Sequence, residues 1–572
     1  MARNYGIDLG TTNTVVCKFE SYKVIAQING IYPPEEIPIV YPEELSCGYY
    51  NVNNAKSLPS LVYLEEDRKN PGEYIHYIGE VAERLSERPE NTNDSLFINT
   101  KRLMSKSEDL GYGLQARDIA KDLYSICFYS ANQKQRNGMS LPFSQSFCVT
   151  RPAAYNPFAT VATVDVAKEF GYSNVSSLEE PAAAMLNYLY TLLENEVTEK
   201  QLLDRQRKKS GHLVFCIIDI GGGTTDVKIQ RFSISGNREI DGDEFATGYV
   251  VTFDNEEIDG KQSMSNPYEA FGGLDFDREA ARYIIQKLDL ELSRKYNIKF
   301  EQLSPNQKSN INSRAMHQAK VFKEHMTGNH IGIWDVPVEF TGVGNSIRVE
   351  WNEKEYNRWV AHLCISSDSE DCFDIHKLSV HSIIENTFKR SNYSAEDLDC
   401  LFVTGGMSYY GPIREMLKRE YGDKVELEFS KTPLEDIARG AALYNAYFRI
   451  DVPLVTLNEG IMLDNPCGEP IIIAPSGHQL PYSKDFKNQL VITNPIEMHI
   501  DILSGVSIFD SNMRMIKRLW ARKLEPTRVG TPVDIHVEIT EEPRINMTLH
   551  VQQEENDYEI PIDSDKYNID IE

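Results

Sequence analysis

The architecture of this chain follows from one short segment, Ile218-Asp-Ile-Gly-Gly-Gly-Thr-Thr-Asp-Val227. The segment comes directly after the apolar run 214–218 and leads into residues 227–229, which favour strands. This pattern predicts a strand, a tight turn and a second strand. Glycines at the turn let backbone N–H groups approach an anion without a Cβ in the way, and the threonine hydroxyls add donors. The segment therefore predicts a hairpin whose turn binds phosphate.

A second turn of the same kind stands near the start of the chain, in Gly6-Ile-Asp-Leu-Gly-Thr-Thr-Asn-Thr14. Two such turns form an internal repeat and predict two similar lobes that face a nucleotide cleft. The carboxylates of Asp8, Asp219 and Asp226 would repel bare phosphates, so we expect Mg²⁺ with its bound waters between them. Each turn leads into a strand and not into a helix, and no Gly-x4-Gly-Lys-Ser/Thr occurs, which argues against a P-loop.

The charge and cysteine content of the chain disfavour several classes of partner and site. There are 59 Lys+Arg against 86 Asp+Glu, a formal net charge of −27, so neither nucleic acid nor an anionic membrane surface is an expected partner. The nine cysteines are dispersed, which indicates neither a disulfide framework nor a zinc site. With no targeting segment and no membrane-spanning apolar run, we expect a cytoplasmic protein.

Two parts of the chain differ in their hydrophobic pattern. Residues 1–449 alternate strand-like and helix-like segments, which predicts an α/β domain. Beyond them the apolar residues recur with period two, which predicts a small antiparallel β-sandwich over residues 450–572. The predicted helices are Glu279 to Glu291 and Ser313 to His325, and the alternating runs are Ile496 to Ile502, Val533 to Ile539 and Ile545 to Val551.

Three segments are predicted to lie outside helices and strands. Ile31 to Lys56 is rich in Pro, Tyr and Asn, and Asp241 to Pro267 is acidic and rich in turn-forming residues. Both are expected to be insertions or long loops. Glu542-Pro-Arg544 predicts a hairpin turn between the last two alternating runs.

Further segments resemble, in order, those of the actin-like ATPase superfamily and, within it, the 70-kilodalton heat-shock chaperones (DnaK-like). They are Leu96 to Leu103 with Lys101, Val149 to Asn156 with Pro152, Leu178 to Ala184 with Glu180, Gly272 to Asp277, and Val403 to Gly406. The resemblance covers nearly the whole chain. It implies an α/β, two-lobed actin-like ATPase domain over residues 1–449, followed by an all-β sandwich domain over residues 450–572.

The resemblance also implies a role for each residue of the expected cleft. Lys101 would point at the γ-phosphate and position the attacking water, where its charge stabilises the transferring phosphoryl group. Asp8, Glu180, Asp219 and Asp226 would hold Mg²⁺ through water and orient the attacking water, with K⁺ as a second candidate cation. The implied contacts to the phosphates and ribose of ATP or ADP are Gly10, Thr11, Thr12, Asn13, Gly221, Gly222, Gly223, Thr224, Gly272, Gly273, Lys320, Gly405 and Gly406.

Four positions depart from the family pattern, all at the adenosine end of the expected cleft. His317 stands where the family has a glutamate that contacts ribose, and we expect it to face solvent. Glu324 replaces a serine that contacts adenine, and Leu434 replaces an aspartate. Tyr409 replaces an arginine that stacks on adenine, although an aromatic ring can also stack. The phosphate half is therefore expected to be intact and the adenosine half altered.

Residues 450–572 resemble the family's peptide-binding β-sandwich, to which the nucleotide state is relayed through Pro152 and an apolar interdomain linker. The segment in the linker position, 446–456, is short and different. The family's helical lid has no counterpart before Glu572, so we expect bound peptide to leave faster. Ile461-Met-Leu463 is interpreted either as the lining of a peptide pocket or as ordinary strand core.

Two functions fit these features. The first is an ATP-dependent chaperone that hydrolyses Mg-ATP slowly and holds unfolded or extended apolar peptide, with co-chaperones as further partners. The second is a nucleotide-gated scaffold that binds one dedicated folded partner. A sugar or metabolite kinase of the same superfamily is disfavoured, because those enzymes carry no such β-sandwich. ATPase activity accelerated by unfolded peptide would distinguish the first function from the second.

Overall fold

The computed structural model describes most of the chain, with gaps. The described residues are 2–24, 28–42, 55–86, 95–98, 100–104, 110–133, 144–153, 155, 157–172, 174–237, 248–266, 270–328, 330–365, 378–451, 457, 459–465, 468–478, 480–494, 497–505, 507–508, 513–522, 528–540, 544–551 and 558–563.

The first part of the chain alternates strands and helices, as predicted. Its elements are β1 (Ala2–Leu9), β2 (Asn13–Val24), β3 (Ile28–Glu36), β4 (Leu58–Pro59), β5 (Val62–Glu66), β6 (Tyr74–Ile78), α1 (Glu80–Ser86), β7 (Leu96–Phe97), α2 (Thr100–Leu103), α3 (Ala116–Gln133), β8 (Ser144–Arg151), α4 (Pro157–Lys168), β9 (Val175–Glu179), α5 (Glu180–Leu193) and α6 (Glu196–Lys208). The main sheet has the order β3-β2-β1-β8-β9. Strands β1 and β2 are antiparallel, whereas β1, β8 and β9 are parallel.

The second part follows the same plan. Its elements are β10 (Leu213–Ile220), β11 (Thr225–Asn237), β12 (Gly248–Asp254), β13 (Met264–Ser265), α7 (Gly273–Tyr296), α8 (Pro305–Glu324), β14 (Ile331–Val336), α9 (Val338–Thr341), β15 (Ile347–Asn352), α10 (Glu353–Cys364), α11 (Val380–Ser391), β16 (Cys400–Thr404), α12 (Gly411–Tyr421), β17 (Leu427–Phe429), α13 (Asp436–Leu443) and β18 (Phe448–Asp451). The main sheet has the order β17-β16-β10-β11-β12-β18. The helices predicted from the apolar pattern correspond to α7 and α8.

The two main sheets share one topology. Each begins with an antiparallel hairpin, β1–β2 or β10–β11, and continues through two parallel strands, β8 and β9 or β16 and β17. Each is followed by a helix, α5 or α13, and each hairpin turn is one of the two Gly/Thr turns. The internal repeat indicated by the turns is therefore present in the sheet topology.

The helices α5 and α13 cross closely and join the two halves of the repeat. A Cβ atom on Gly440 of α13 would lie 1.7 Å from the carbonyl oxygen of Ala183 on α5. The same helix lies against β1, because a Cβ on Gly6 would lie 2.1 Å from the carbonyl oxygen of Ala438. Glycine at these two positions removes the side chain that would hold the backbones apart.

The structure corrects both predicted loops. Residues 28–36 form β3, which pairs with β2, and residues 248–254 form β12, which pairs with β11. Strand β3 is at the edge of its sheet, where proline does not interrupt a hydrogen-bonded ladder on both sides. This is why its Pro-rich sequence did not look like a strand. Residues 43–54 of the first segment, and 241–247 and 267 of the second, lie outside the described residues.

The chain after β18 forms strands alone within the described residues. They are β19 (Gly460–Leu463), β20 (Ile471–Ala474), β21 (Tyr482–Val491), β22 (Glu497–Gly505), β23 (Arg514–Arg522), β24 (Pro532–Ile539), β25 (Ile545–Val551) and β26 (Tyr558–Asp563). Two four-stranded sheets, β20-β19-β22-β23 and β21-β24-β25-β26, share one hydrophobic core. Alternate residues of β24 and β25 are buried in it, as predicted. The turn predicted at Glu542-Pro lies outside the described residues.

The passage from the α/β part to the sandwich runs through β18. This strand pairs in parallel with β12, from Tyr249↔Phe448 to Thr252↔Asp451. The chain therefore stays hydrogen-bonded to the second main sheet up to residue 451, and the expected boundary between residues 449 and 450 falls inside β18.

Candidate active site

The two Gly/Thr turns face each other in the folded chain. A Cβ atom on Gly222 would lie 2.0 Å from Thr12 Oγ1, and one on Gly223 would lie 2.3 Å from Thr11 Oγ1. Only glycine therefore lets the turns approach this closely. Thr11 Oγ1 is buried and has no hydrogen-bond partner among the described residues. A phosphate oxygen between the turns would satisfy this hydroxyl.

Two further segments, Gly272-Gly273 and Gly405-Gly406, pack against the second turn; they are called the Gly-Gly segments below. The Gly273 N–H donates to the carbonyl oxygen of Gly221 at 3.0 Å. Gly405 has a φ of 82°, and a Cβ on it would lie 2.2 Å from Asp219 Oδ1. The other residues that were expected to contact the phosphates and ribose lie in the two turns and the two Gly-Gly segments. They are Gly10, Asn13, Thr224, Gly272 and Gly406. Segments far apart in sequence thus meet around one turn.

Buried carboxylates lie beside the turns. Glu180, Asp219 and Asp226 each offer an oxygen within 4.8 Å of the others. The two aspartates face each other across the β10–β11 hairpin, and Glu180 is the first residue of α5. Asp8, at the end of β1, is also buried and accepts a hydrogen bond from Thr150 Oγ1 at 3.2 Å. All four carboxylates predicted to hold the metal are therefore buried at the inner ends of these elements.

Lys101 lies inside this cluster and not on the surface. Its Nζ is 2.6 Å from Glu180 Oε2, and the two side chains are 6% and 0% exposed. Burial by itself would lower the pKa of Lys101, but Glu180, Asp8 and Asp226 raise it above its ordinary value. The ammonium group therefore stays charged, which is the form that can stabilise a phosphoryl group.

The segment around Pro152 contacts the carboxylate of Asp226 and the backbone of Lys101. The Ala153 N–H donates to Asp226 Oδ1 at 3.2 Å, and the Tyr155 hydroxyl donates to the carbonyl oxygen of Lys101 at 2.6 Å. This segment leads from β8 into α4, so it connects the charged cluster to that helix.

The carboxylates hold protons unusually tightly. Burial raises the pKa of Asp219 to about 8, with a further contribution from Asp226 and opposition from Lys101. Burial also raises the pKa of Asp8 and Asp226, and that of Glu180 well above its ordinary value. The main physical cause is burial, which disfavours the charged form, and Lys101 offsets it only in part.

These residues fit a hydrated divalent cation. Glu180 Oε1, Asp219 Oδ1 and Asp226 Oδ2 are buried without a hydrogen-bond partner among the described residues. Unsatisfied carboxylate oxygens are costly in a protein interior, and Mg²⁺ with its waters is a ligand that would satisfy them. The donor set consists of hard oxygens alone, which suits Mg²⁺ and leaves K⁺ as a weaker alternative.

The residues expected at the adenosine end lie on α8 and in two segments beside Gly406. Lys320 and His317 are both half-buried on α8, so the expected exposure of His317 is only partial. Tyr409 and Leu434 are each 54% exposed. Both lie close to Gly406. This glycine begins the short turn that ends at Tyr409, and a Cβ atom on it would lie 3.2 Å from Leu434 Cδ2. An apolar surface therefore borders this end of the cleft.

A buried ion pair near the Gly-Gly segment was missed by the sequence analysis. Lys323 Nζ lies 2.8 Å from Asp277 Oδ1, and it donates to the carbonyl oxygen of Gly273 at 2.9 Å. This pair anchors the first turn of α7 to α8. No local sequence pattern links the two residues, because Asp277 and Lys323 lie far apart along the chain.

A second missed feature is the buried carboxylate of Asp436, at the start of α13. It accepts hydrogen bonds from Asn187 Nδ2 at 2.9 Å, Thr404 Oγ1 at 2.5 Å and Thr432 Oγ1 at 2.9 Å. Burial raises its pKa, and these hydrogen bonds oppose the rise. The donors lie on α5, β16 and the loop before α13, so no sequence spacing could have revealed the network.

In the sandwich, Ile461, Met462 and Leu463 are all buried, each 1% exposed or less. Ile461 and Leu463 belong to the shared core of the two sheets. Of the two interpretations left open by the sequence, this favours ordinary strand core.

The sandwich contacts the helix that follows the Pro152 segment. Phe158 of α4 packs against the sandwich core, and Lys517 Nζ lies 4.8 Å from the centre of the Phe158 ring. Arg544 Nη2 lies 2.9 Å from Asp165 Oδ1. The α/β part and the sandwich are thus in contact through α4 as well as through β18. Within the described part of the chain, no helix combines the length and apolar character that crossing a membrane requires.

The fold and the site define an α/β protein with two similar sheets, a cluster of buried carboxylates beside its two Gly/Thr turns, and a part made of two packed β-sheets after it. The chaperone protein DnaK of Mycoplasma mobile is 24% identical over 536 residues, which cover 92% of this chain and 72% of that protein. DnaK of Mycoplasmopsis pulmonis is 23% identical over 540 residues, 92% and 73% of the two chains. DnaK of Mesomycoplasma hyopneumoniae strain 7448 is 22% identical over 550 residues, 92% and 72%. No protein-family model matches the sequence. The chain therefore resembles the DnaK-like 70-kilodalton heat-shock proteins over 92% of its length.

Proposed function

We propose that this protein is an ATP-dependent, chaperone-like protein that binds Mg-ATP in the cleft and hydrolyses it slowly to ADP. The observation that carries the proposal is the buried contact of Lys101 with Glu180 among further carboxylates, beside two interlocked Gly/Thr turns. Burying so many charged side chains costs free energy. A charged ligand and its metal ion would offset that cost by pairing with them. The relatives' name, chaperone protein DnaK, supports the same function.

The roles proposed for the residues follow from their positions. The backbone N–H groups and threonine hydroxyls of the two turns would bind the phosphates. Asp8, Glu180, Asp219 and Asp226 would hold Mg²⁺ through water, and the bound metal would supply charge neutralisation at the phosphates. Lys101 would stabilise negative charge on the γ-phosphoryl group and orient the attacking water. The Gly-Gly segments and Lys320 would contact the ribose and phosphates.

The test of the ATPase is the variant Lys101→Ala. We expect its rate of Mg-ATP hydrolysis to fall by about 100-fold or more, because one charged group that stabilises the transition state is lost. The matched control is Lys121→Ala, which removes a lysine that is 51% exposed and should leave the rate unchanged. Hydrolysis by the Lys101→Ala variant at the wild-type rate would contradict the assignment.

We further propose that residues 1–449 form the nucleotide-binding unit and residues 450–572 a unit that binds unfolded or extended apolar peptide in the cytoplasm, with co-chaperones as partners. The contacts between α4 and the sandwich support coupling, since α4 follows the segment that touches Asp226 and Lys101. Acceleration of ATP hydrolysis by an unfolded peptide would support this function, and the measurement is an ATPase titration with peptide.

A nucleotide-gated scaffold with one dedicated partner is the second candidate. The burial of Ile461-Met-Leu463 favours it, because apolar residues that bind peptide have to be reachable. ATP turnover that stays constant across a panel of apolar peptides, in a protein whose turnover depends on Lys101, would select the scaffold over the chaperone.

A further inference from the structure

A polar pocket lies between the two halves of the repeat. It has a volume of about 190 Å³, and its lining includes Arg151, Glu179, Lys228 and Gln230 together with the apolar side chains Phe253 and Ile450. The volume corresponds to about six molecules of liquid water. The pocket is therefore large enough for a small organic molecule and too small for a folded partner.

Three charged side chains meet in this pocket with an excess of positive charge. Arg151, Glu179 and Lys228 are 14%, 19% and 14% exposed. Lys228 donates to Glu179, while Arg151 Nη2 stays 3.7 Å from Glu179 Oε1. Two positive charges face one negative charge.

Two buried polar atoms of the lining have no hydrogen-bond partner among the described residues. They are the donor Arg151 Nε and the acceptor Gln230 Oε1. The Gln230 side chain is 1% exposed, and its Nε2 is held by the carbonyl oxygen of Arg231 at 2.8 Å. A buried donor and a buried acceptor left unsatisfied each cost free energy, and the two side chains that carry them both line the pocket.

We propose that this pocket binds a small carboxylate that also carries an N–H or O–H donor and an apolar group. The carboxylate accepts from the guanidinium of Arg151, the donor binds Gln230 Oε1, and the apolar group packs on Phe253 and Ile450. A guanidinium and a carboxylate form a strong, directional pair when they are shielded from water. Such a carboxylate can be a free acid or the carboxyl terminus of a peptide.

Three residues that line the pocket are close in sequence to residues of the candidate active site. Arg151 precedes Pro152, Glu179 precedes Glu180, and Lys228 stands two residues after Asp226. An occupant that moved these strands would therefore change the affinity of the cleft for Mg-ATP. This second consequence depends on the proposed ATPase function, whereas binding of the carboxylate does not.

The test uses N-acetyl-leucine, which has a carboxylate, an amide N–H and an aliphatic side chain. Calorimetric titration of the full chain should detect its binding, and N-acetyl-leucinamide, which lacks the carboxylate, should bind at least about tenfold more weakly. A tripeptide with a free carboxyl-terminal leucine distinguishes the two sources of the ligand: binding of both probes supports a site open to peptide termini, and binding of the free acid alone supports a closed site.

The matched variants are Arg151→Met, Arg151→Lys and Arg282→Met. Arg151→Met should weaken binding at least about tenfold and Arg151→Lys less, since lysine keeps the charge but not the paired donors. Arg282 is 67% exposed, and its replacement should leave binding unchanged. The proposal is overturned if N-acetyl-leucine does not bind the wild-type protein. It is also overturned if the folded variants Arg151→Lys and Arg151→Met both bind N-acetyl-leucine as tightly as the wild type does. If the affinity for Mg-ATP is the same with and without bound N-acetyl-leucine, only the proposed coupling between the pocket and the active site is overturned.

Discussion

At the scale of single residues, the site is governed by an imbalance of charge. Lys101 has the carboxylates of Glu180, Asp8 and Asp226 around it, and Asp219 adds another. Burial raises the pKa of Glu180 well above its ordinary value and that of Asp219 to about 8. Proton binding and Mg²⁺ binding therefore compete for the same oxygens.

This competition predicts a pH dependence with a definite sign. In the metal-free protein the pKa of Asp219 is raised from its ordinary value of 3.8 to about 8, so folding binds a proton. The stabilisation is complete below pH 3.8 and is lost as the pH rises towards about 8. The free energy of unfolding in EDTA should fall by at most about 1.4 kcal/mol per pH unit for this proton.

Chemical denaturation in EDTA at pH 6 and pH 8 measures this effect, and Asp219→Asn should reduce the slope. With Mg²⁺ present the added stability should be larger at pH 8 than at pH 6, because fewer protons compete for the site. A slope in Asp219→Asn equal to that of the wild type would show that another group carries the dependence.

At the scale of elements, the crossing of α5 and α13 determines how the two halves of the repeat meet. The crossing depends on Gly440, where any Cβ would overlap the backbone of Ala183. Backbone cannot move aside as a flexible side chain can, so the helices themselves would have to separate.

The variant Gly440→Ala should therefore lower the free energy of unfolding by about 1–3 kcal/mol, the usual cost of overpacking. The control is Gly411→Ala at the first residue of α12, where a Cβ meets nothing within 4 Å. Urea denaturation of both variants measures the difference. Equal stability of Gly440→Ala and the control would mean that the helices have room to separate.

At the scale of the whole molecule, the sandwich and the α/β part share the contact around α4. Phe158 is its apolar centre, and Lys517 and the pair Arg544–Asp165 surround it. This partly exposed ion pair alone contributes little, about 0–1 kcal/mol. The ring of Phe158 should therefore carry most of this contact.

Replacing Phe158 by Ala should loosen the sandwich from α4 without unfolding either part. We expect faster hydrogen exchange in β23, which contains Lys517, and in α4, because both lose their cover at the contact. Mass spectrometry of peptides from 157–168 and 514–522 measures the exchange. Leu290→Ala, which truncates a side chain that is 68% exposed, is the control. Unchanged exchange in both segments would show that the contact does not hold the two parts together.

Much of this architecture could be predicted from local sequence. The strand–turn–strand form of both Gly/Thr turns follows from apolar runs broken by glycines, and the alternation in β24 and β25 follows from period two. Strand β3 could not be predicted, because its prolines disfavour a strand everywhere except at a sheet edge, and only the folded sheet has an edge.

The sequence by itself determined the two turns, the α/β and β parts, and the residue types that suit phosphate and Mg²⁺. Only the tertiary structure decided that Lys101 is buried against Glu180, that Asp436 receives hydrogen bonds from α5 and β16, and that Arg151 and Gln230 share a pocket. The physical reason is that turns and periodicity depend on neighbouring residues, whereas burial and unsatisfied polar atoms depend on segments that are distant along the chain.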